Sequence, residues 1–151
     1  MNAESIRKLF EQVRRGQMTP DDAVERLRHL PFQDLGFAKV DHHRTLRSGM
    51  PEVIFGKGKT PSQTAEIFER LADHGGNVLA TRANKTQFAA VKKKVRDAEY
   101  RESARVIILR RDLQVYGKGT IAVVSAGTSD MSVAEEALVT AEMMGNTVEH
   151  F

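Results

Sequence analysis

The chain has 151 residues, of which 40% are hydrophobic and 28% charged, and its formal net charge at pH 7 is +3. This length and balance are typical of a globular protein with one or two small domains. The chain has no cysteine, which excludes disulfide bridges, cysteine-ligated zinc and a thiol nucleophile among these residues. No apolar run reaches the roughly twenty residues needed to cross a bilayer, and the charged N-terminus is unlike a signal peptide. We therefore expect a cytoplasmic protein with no membrane partner.

Basic residues cluster at Arg14-Arg15, Lys92-Lys93-Lys94 and Arg110-Arg111. A nucleic-acid interface would combine a continuous basic stripe with aromatic stacking partners, but the chain has no tryptophan and only two tyrosines. The lysine run is therefore interpreted as a solvated helix face, and no nucleic-acid partner is expected.

Residues 1–31 predict a helical hairpin. Apolar side chains recur at helical spacing over residues 4–15, and Gly16 ends the run. Thr19-Pro20-Asp21-Asp22 has the order of an N-cap, a proline at the first helical position and an acidic first turn. The apolar face of the hairpin is too small to be stable alone, so it should pack on another element.

From residue 32 onward, strand-like and helical segments alternate. Strands are predicted at 35–41, 51–55, 77–82 and 105–109. One helix is predicted from the capping sequence Thr60-Pro61-Ser62-Gln63 to about His74, and another over 85–95. The order β-β-α-β-α-β predicts a small α/β domain over 32–111, and the glycines near 117 mark 112–118 as a linker.

The last thirty or so residues predict a strand, a tight turn, a helix and, at 147–151, a second strand. A β-branched run from Thr120 ends in small and hydroxylic residues, and a helical pattern then continues to Gly145. We interpret 119–151 as the start of a parallel, three-layer, Rossmann-like sheet that is incomplete in this chain.

The turn in that unit is the best candidate for a binding site. Free N–H groups and the positive end of the helix dipole meet there, and phosphate is the natural ligand. The predicted phosphate-binding residues are Ser125, Gly127, Thr128, Ser129 and Asp130. The alternative is an ordinary helix cap, in which the side chain of Ser129 or Asp130 accepts from the first turn. Glu135 and Glu136 are interpreted as partners of the helix dipole rather than as acid–base catalysts.

Other residues are candidates for ligand contact. Gly56-Lys57-Gly58-Lys59-Thr60 is similar to a P-loop, but the earlier glycine that a P-loop needs is replaced by Val53, so an ATPase is not predicted. Adjacent histidines on an extended chain point apart, so no metal site is predicted at His42 and His43. In the loop of residues 56–60, Lys59 is a candidate for contact with an anion. Four further candidates form either a salt-bridge network or an anion clamp, namely Asp41, Arg44, Arg47 and Glu52. Arg82, at the end of a predicted strand, is interpreted in the same way.

Two blocks of sequence resemble known proteins, and together they indicate one family. Residues 121–130, with Ala134-Glu135-Glu136-Ala137 and Gly145-Asn146, resemble the start of the aminoimidazole-ribonucleotide carboxylase-like (PurE-like) domain. The upstream block resembles the LarB family of nickel-pincer nucleotide cofactor biosynthesis. That block comprises Asp41-His42-His43-Arg44, Arg47, Gly49, residues 51–56, Gly58-Lys59-Thr60 and Thr81-Arg82. The resemblance covers essentially the whole chain.

The resemblance implies an enzyme that carboxylates the pyridinium ring of nicotinic acid adenine dinucleotide and hydrolyses its phosphoanhydride. Carbon dioxide or bicarbonate would be the co-substrate, with no tightly bound cofactor; a divalent metal for hydrolysis and the catalytic residues are left open. A homo-oligomer is also implied, since related carboxylase-like proteins form octamers. Ser129 and Asp130 match the family motif most directly, whereas Gly127 stands where purine-pathway enzymes usually have serine.

The chain departs from the family in one respect. The family nucleophile is a cysteine in the C-terminal half, and this chain has none. We therefore expect an N-terminal portion of a longer protein that is inactive alone. Two alternatives stay open: an aminoimidazole-ribonucleotide carboxylase or mutase of purine biosynthesis, and a non-enzymatic nucleotide-binding module in which residues 1–111 act as a docking domain.

Overall fold

A computed structural model describes residues 3–28, 32–41, 44 and 50–151. The chain divides into two compact units, Met1–Glu52 and Val53–Phe151. Within the described residues, no helix is long and apolar enough to cross a membrane.

The first unit begins with the predicted pair of helices, α1 (Ala3–Arg14) and α2 (Pro20–Arg28), which contact each other. The N-cap predicted at Thr19 is formed, because its Oγ1 accepts from the Asp22 N–H at 3.1 Å. Among the residues of the two helices whose burial is described, Leu9 and Ala23 are the buried apolar ones.

The prediction of one strand over 35–41 is wrong. The structure has an antiparallel hairpin of β1 (Phe32–Asp34) and β2 (Lys39–Asp41). The chain reverses because the Asp34 Oδ1 accepts from the Gly36 N–H at 2.8 Å and Gly36 adopts a φ of +80°. A side chain that bonds the backbone two residues later mimics a turn, and glycine adopts positive φ without steric cost.

A four-stranded sheet forms the centre of the second unit. Its strands are β3 (Val53–Phe55), β4 (Val78–Thr81), β5 (Glu99–Arg101) and β6 (Val106–Leu109), in the order β3-β4-β6-β5. The pair β3–β4 is parallel, whereas β6 is antiparallel to both of its neighbours. The polar strand β5 is absent from the sequence prediction, since Glu99-Tyr100-Arg101 carries no apolar signal.

Helices α3 (Pro61–Asp73) and α4 (Lys85–Lys94) follow the two parallel strands and pack on each other. Both begin with a capping box, formed by Thr60 with Gln63 and by Asn84 with Gln87. Lys92, Lys93 and Lys94 are exposed on α4, as expected of a solvated face. Two of them also bind nearby groups: Lys92 donates to the Ala98 carbonyl at 2.9 Å, and Lys94 pairs with Glu69.

Gln87 connects three segments from a buried position. Its Nε2 donates to the carbonyls of Gly56 at 2.7 Å and Lys59 at 2.9 Å, and to the Thr64 Oγ1 at 3.1 Å. Its Oε1 accepts from the Asn84 N–H at 2.9 Å. Because the amide is almost inaccessible to water, these bonds fix the loop after β3 against α4.

The C-terminal residues form the predicted β-α-β unit: β7 (Thr120–Val123), α5 (Met131–Met143) and β8 (Thr147–His150), with β7 parallel to β8. The helix also covers one face of the four-stranded sheet, where Val139 and Met143 pack with Leu79, Val106 and Ile108. Neighbouring residues of those strands, such as Ala80 and Ile107, face the opposite side and are buried too. The protein is a mixed α/β fold, consistent with a Rossmann-like architecture.

Residues 112–118, predicted to be a linker, have no helix or strand but are bound at both ends. The Asn77 Oδ1 accepts from the N–H groups of Arg111 and Asp112, each at 2.8 Å, and the Asn77 Nδ2 donates to the Asp112 carbonyl. At the other end, the Tyr116 N–H donates to the Gly145 carbonyl at 2.7 Å. Through these bonds, the segment connects Gly145, just after α5, with Asn77, just before β4.

Replacing Gln87 should test the buried amide. We expect Gln87→Leu to lower the free energy of unfolding by about 2 kcal/mol or more, because buried acceptors lose their donors. Urea denaturation measures the change. Gln63→Leu is the matched control, since Gln63 occupies the equivalent capping-box position but bonds only the exposed Thr60 N–H; its cost should stay below about 1 kcal/mol. If both variants lower the free energy of unfolding equally, the buried hydrogen bonds of Gln87 stabilise the protein no more than the exposed one of Gln63.

The hydrogen bonds of residues 112–118 also predict that the stability of the protein depends on pH. The hydrogen bond from the Tyr116 hydroxyl, at 2.6 Å, and that from the Gln114 N–H lower the pKa of Asp112 below its ordinary value. A lowered pKa in the folded state adds stability above the ordinary pKa of 3.8, and this is lost as the pH falls through the folded-state value.

Tyr116→Phe should therefore be less stable than the unmodified protein at neutral pH, and the difference should shrink in acid as Asp112 is protonated. Urea midpoints at about pH 7 and about pH 3 measure this, spanning the ordinary carboxyl pKa. A stability difference that is the same at both pH values would contradict the assignment.

Candidate functional site

The five predicted phosphate-binding residues lie together in the connection between β7 and α5. Ser125 is half-buried, and Gly127, Thr128, Ser129 and Asp130 are exposed. The strand pairing continues into this connection, because the Phe151 N–H donates to Val123 and the Ser125 N–H donates to Phe151. The turn therefore starts from a fixed point at the carboxyl ends of two parallel strands, where open α/β sheets bind their ligands.

Gly127 gives the turn its shape. Its φ is +90°, which an L side chain rarely adopts, and the Asp130 N–H approaches the Gly127 carbonyl at 3.4 Å. The tight turn leads directly into the first residue of α5, so the hydroxyls of Thr128 and Ser129 belong to the entry of the helix.

The N-terminus of α5 has no side-chain cap. Asp130 is the N-cap residue, with φ −92° and ψ −11°, and its carboxylate accepts no hydrogen bond from the helix. For the N–H groups of Met131 and Ser132, the structure records no acceptor within the described part of the chain. The alternative of an ordinary Asp130 cap is therefore wrong, and these donors point to solvent or to a ligand.

The N-termini of α3 and α4, which also follow strands, are capped by side chains, unlike that of α5. In α3 the Thr60 Oγ1 accepts from the Gln63 N–H at 3.2 Å, and in α4 the Asn84 Oδ1 accepts from the Gln87 N–H at 2.9 Å. Their first turns are closed by the sequence itself. An exposed end without such a cap leaves the positive pole of the helix dipole available.

The structure adds a residue that the sequence reasoning did not single out. The His150 Nε2 lies 3.0 Å from the Ser125 Oγ, across the adjacent ends of β7 and β8. In the strand register, His150 is opposite Val123. His150 was placed in the predicted second strand, but its partner could be identified only once the two strands were known to be parallel neighbours.

The loop of residues 56–60 differs from a P-loop in its bonding as well as its sequence. The Gln87 Nε2 donates hydrogen bonds to the carbonyls of Gly56 and Lys59, and Thr60 caps the helix that follows. The Lys59 Nζ donates at 2.9 Å to the carbonyl of Phe55, the last residue of β3. Lys59 therefore braces the loop, and contact with a ligand stays a prediction.

Arg82 lies at the end of β4 and pairs with a residue of α5. Its Nε is 2.6 Å from the Glu136 Oε2, while the Ser103 hydroxyl donates to the Glu135 Oε2 at 2.7 Å. Neither glutamate is in the first turn of α5, where a carboxylate interacts most strongly with the helix dipole. Each binds a side chain in a loop next to the four-stranded sheet, since Arg82 directly follows β4 and Ser103 lies between β5 and β6.

The remaining candidates belong to the first unit. Arg44 pairs with Glu52 at 3.5 Å, as expected of a salt-bridge network, and Asp41 is the last residue of β2. Arg47, His42 and His43 lie outside the described residues. Across residues 3–28, 32–41, 44 and 50–151, no cluster of three His, Asp or Glu side chains is arranged for a metal ion.

Alanine at Gly127 should strain the turn. A Cβ at this position would meet nothing within 4 Å, so the cost comes from the backbone alone. We expect Gly127→Ala to lower the free energy of unfolding by about 1 kcal/mol. Gly119→Ala is the control, since it has open space too but no positive φ. Urea denaturation should show a larger loss for Gly127→Ala, and equal losses would contradict a requirement for glycine in the turn.

A longer protein is related to nearly the whole chain. An uncharacterized protein of Methanocaldococcus jannaschii is 28% identical over 149 residues, which cover 94% of this chain and 58% of that protein. The chain thus spans a little over half the length of that relative.

A family model gives the assignment. The model of the LarB/PurE-like N-terminal domain matches residues 32–111, which is more than half of the chain. The match covers the hairpin β1–β2 and the four-stranded sheet with α3 and α4. The chain therefore belongs to the LarB/PurE-like N-terminal domain family.

Proposed function

We propose that this chain contributes to an enzyme that carboxylates the pyridinium ring of nicotinic acid adenine dinucleotide and hydrolyses its phosphoanhydride, in the biosynthesis of the nickel-pincer cofactor. The observation that carries this proposal is membership of the LarB/PurE-like N-terminal domain family. The uncapped N-terminus of α5 supports it, because a dinucleotide substrate needs a phosphate site.

The turn before α5 combines hydrogen-bond donors with the positive end of a helix dipole, and both favour a phosphate. The N–H groups of Met131 and Ser132 are donors without an acceptor in the described chain, and two exposed hydroxyl residues, Thr128 and Ser129, come just before them in the sequence. A helix N-terminus carries roughly half a positive charge. Together these groups stabilise an anion at the position where parallel strands end.

In the proposed reaction a thiolate adds to the cationic ring and leaves a neutral, enamine-like ring. The neighbouring ring carbon then attacks carbon dioxide and forms the new carbon–carbon bond. Loss of the proton from that carbon and expulsion of the thiolate restore the aromatic ring. Water cleaves the phosphoanhydride to give the carboxylated mononucleotide and AMP. The 151 residues contain no cysteine, so the proposal takes the thiolate from outside them.

The remaining features of the proposal follow the family resemblance. The enzyme would be a cytoplasmic homo-oligomer, with carbon dioxide or bicarbonate as co-substrate and no tightly bound cofactor. Asp41, Arg44, Arg47, Glu52, Lys59 and Arg82 stay candidates for ligand contact.

Binding can be tested directly by calorimetric titration of the protein with nicotinic acid adenine dinucleotide. We expect saturable binding that Ser129→Ala weakens by about tenfold, the effect of one hydrogen bond to a charged group. The control is Ser62→Ala, in the exposed first turn of α3, which Thr60 already caps. This variant should bind like the unmodified protein.

Two results would contradict the proposal. Saturation by an aminoimidazole ribonucleotide but not by the dinucleotide would favour the purine-pathway alternative. Absence of binding and of carboxylation by the full-length gene product would reject the enzyme assignment.

A further inference from the structure

The ion pair between Arg82 and Glu136 joins the edge of the four-stranded sheet to the helix that carries the proposed phosphate site. The Arg82 Nε lies 2.6 Å from the Glu136 Oε2. The carboxylate side chain is only 18% exposed, so water screens its charge poorly.

The backbone of Arg82 is held in an uncommon conformation. Its φ is +51°, in the left-handed region that residues other than glycine rarely adopt. On one side, the Gly56 N–H donates to the Thr81 carbonyl at 2.7 Å; on the other, the buried Ala83 donates to the Arg105 carbonyl at 2.8 Å. Since such a conformation persists only where neighbouring bonds determine it, the backbone position from which the Arg82 side chain extends toward Glu136 is fixed by the fold.

Glu136 lies where its charge matters to an anion. It follows Met131 by five positions, which places it about 8 Å along the helix axis from the first turn. A poorly screened carboxylate at that distance repels an anion at the N-terminus and opposes the helix dipole. Its neighbour Glu135 accepts a hydrogen bond from the neutral hydroxyl of Ser103, whereas Glu136 pairs with the cation of Arg82.

We propose that Arg82 is a positioning residue that acts through Glu136: it compensates the Glu136 charge and so keeps the N-terminus of α5 attractive to a phosphate. This inference rests on the proposed function of the turn. It assigns Arg82 a role through the helix rather than direct contact with substrate. A second pair, Arg110 with Glu142 at 3.1 Å, lies near the opposite end of the same helix and provides a matched control.

The test compares Arg82→Gln, Glu136→Gln, the double variant and Arg110→Gln. Dissociation constants for inorganic phosphate and for nicotinic acid adenine dinucleotide are measured by calorimetry at low salt. Arg82→Gln should weaken binding by about three- to tenfold, as expected of an uncompensated charge at this distance. Glu136→Gln should bind at least as tightly as the unmodified protein. The double variant should recover to within about twofold of it, and Arg110→Gln should not change, because Glu142 is about 17 Å from the first turn.

Rescue in the double variant separates the alternatives. If Arg82 touches the ligand, the double variant stays as weak as Arg82→Gln. If the pair acts only by fixing the helix, Glu136→Gln also binds weakly. Either result overturns the inference.

A second measurement needs no ligand. Hydroxide-catalysed hydrogen exchange of the Met131 and Ser132 amides slows when the local potential becomes more negative, so it should slow in Arg82→Gln and recover in the double variant. If the exchange follows this pattern but no phosphate binds, the proposed function fails while the role of Arg82 stands. If phosphate binds and neither exchange nor affinity responds to Arg82→Gln, the inference fails while the proposed function stands.

Discussion

The proposed phosphate site requires the N–H groups of Met131 and Ser132 at the start of α5, which have no acceptor in the part of the chain that the structure describes. A helix leaves its first N–H groups without intrahelical acceptors, and a good N-cap side chain is worth about 1 kcal/mol. The sequence supplies such side chains at Thr60 and Asn84, and each is completed by a glutamine three residues later. At Asp130 the cap is not made. The stabilisation that such a cap provides to α3 and α4 is therefore missing at α5, and in the proposed function a bound phosphate would supply it.

Helix α5 packs against both sheets of the second unit. Val139 and Met143 anchor the second half of α5 on the apolar face of the four-stranded sheet, and β7 and β8 contact the same helix. Nearer the open end, the contacts with the four-stranded sheet include the polar ones at Glu135 and Glu136. The helix therefore belongs at once to the β-α-β unit and to the layer covering the upstream sheet. The ion pair of Arg82 with Glu136 thus connects the end of β4 to the helix that follows the turn.

Local signals explain what the sequence predicted well. Apolar spacing and capping residues located the helices, and the run from Thr120 to Asp130 located the β-α-β unit. The hairpin of β1 and β2 was missed because its turn depends on one Asp34 side-chain bond, and β5 was missed because its residues are polar. The binding residues proposed at the turn were chosen from contiguous sequence, and their placement in one connection follows from that contiguity.

Contacts between distant residues could not be predicted from the same signals. Gln87 bonds the carbonyl of Gly56, 31 positions away, and Asn77 bonds the carbonyl of Met143, 66 positions away. The pairings of Arg82 with Glu136 and of Ser125 with His150 likewise require knowledge of which strands and helices are neighbours. Without that knowledge, Glu136 carried only the generic interpretation of an acidic residue early in a helix.

Nuclear magnetic resonance can map where phosphate binds, through the signals of the backbone amides. If the N-terminus of α5 binds the anion, titration with inorganic phosphate should shift the amide signals of Thr128 to Ser132 first and most, because those amides lie at the start of this helix. Shifts confined to the loop around Lys57 and Lys59, or to Lys92, Lys93 and Lys94, would contradict this expectation.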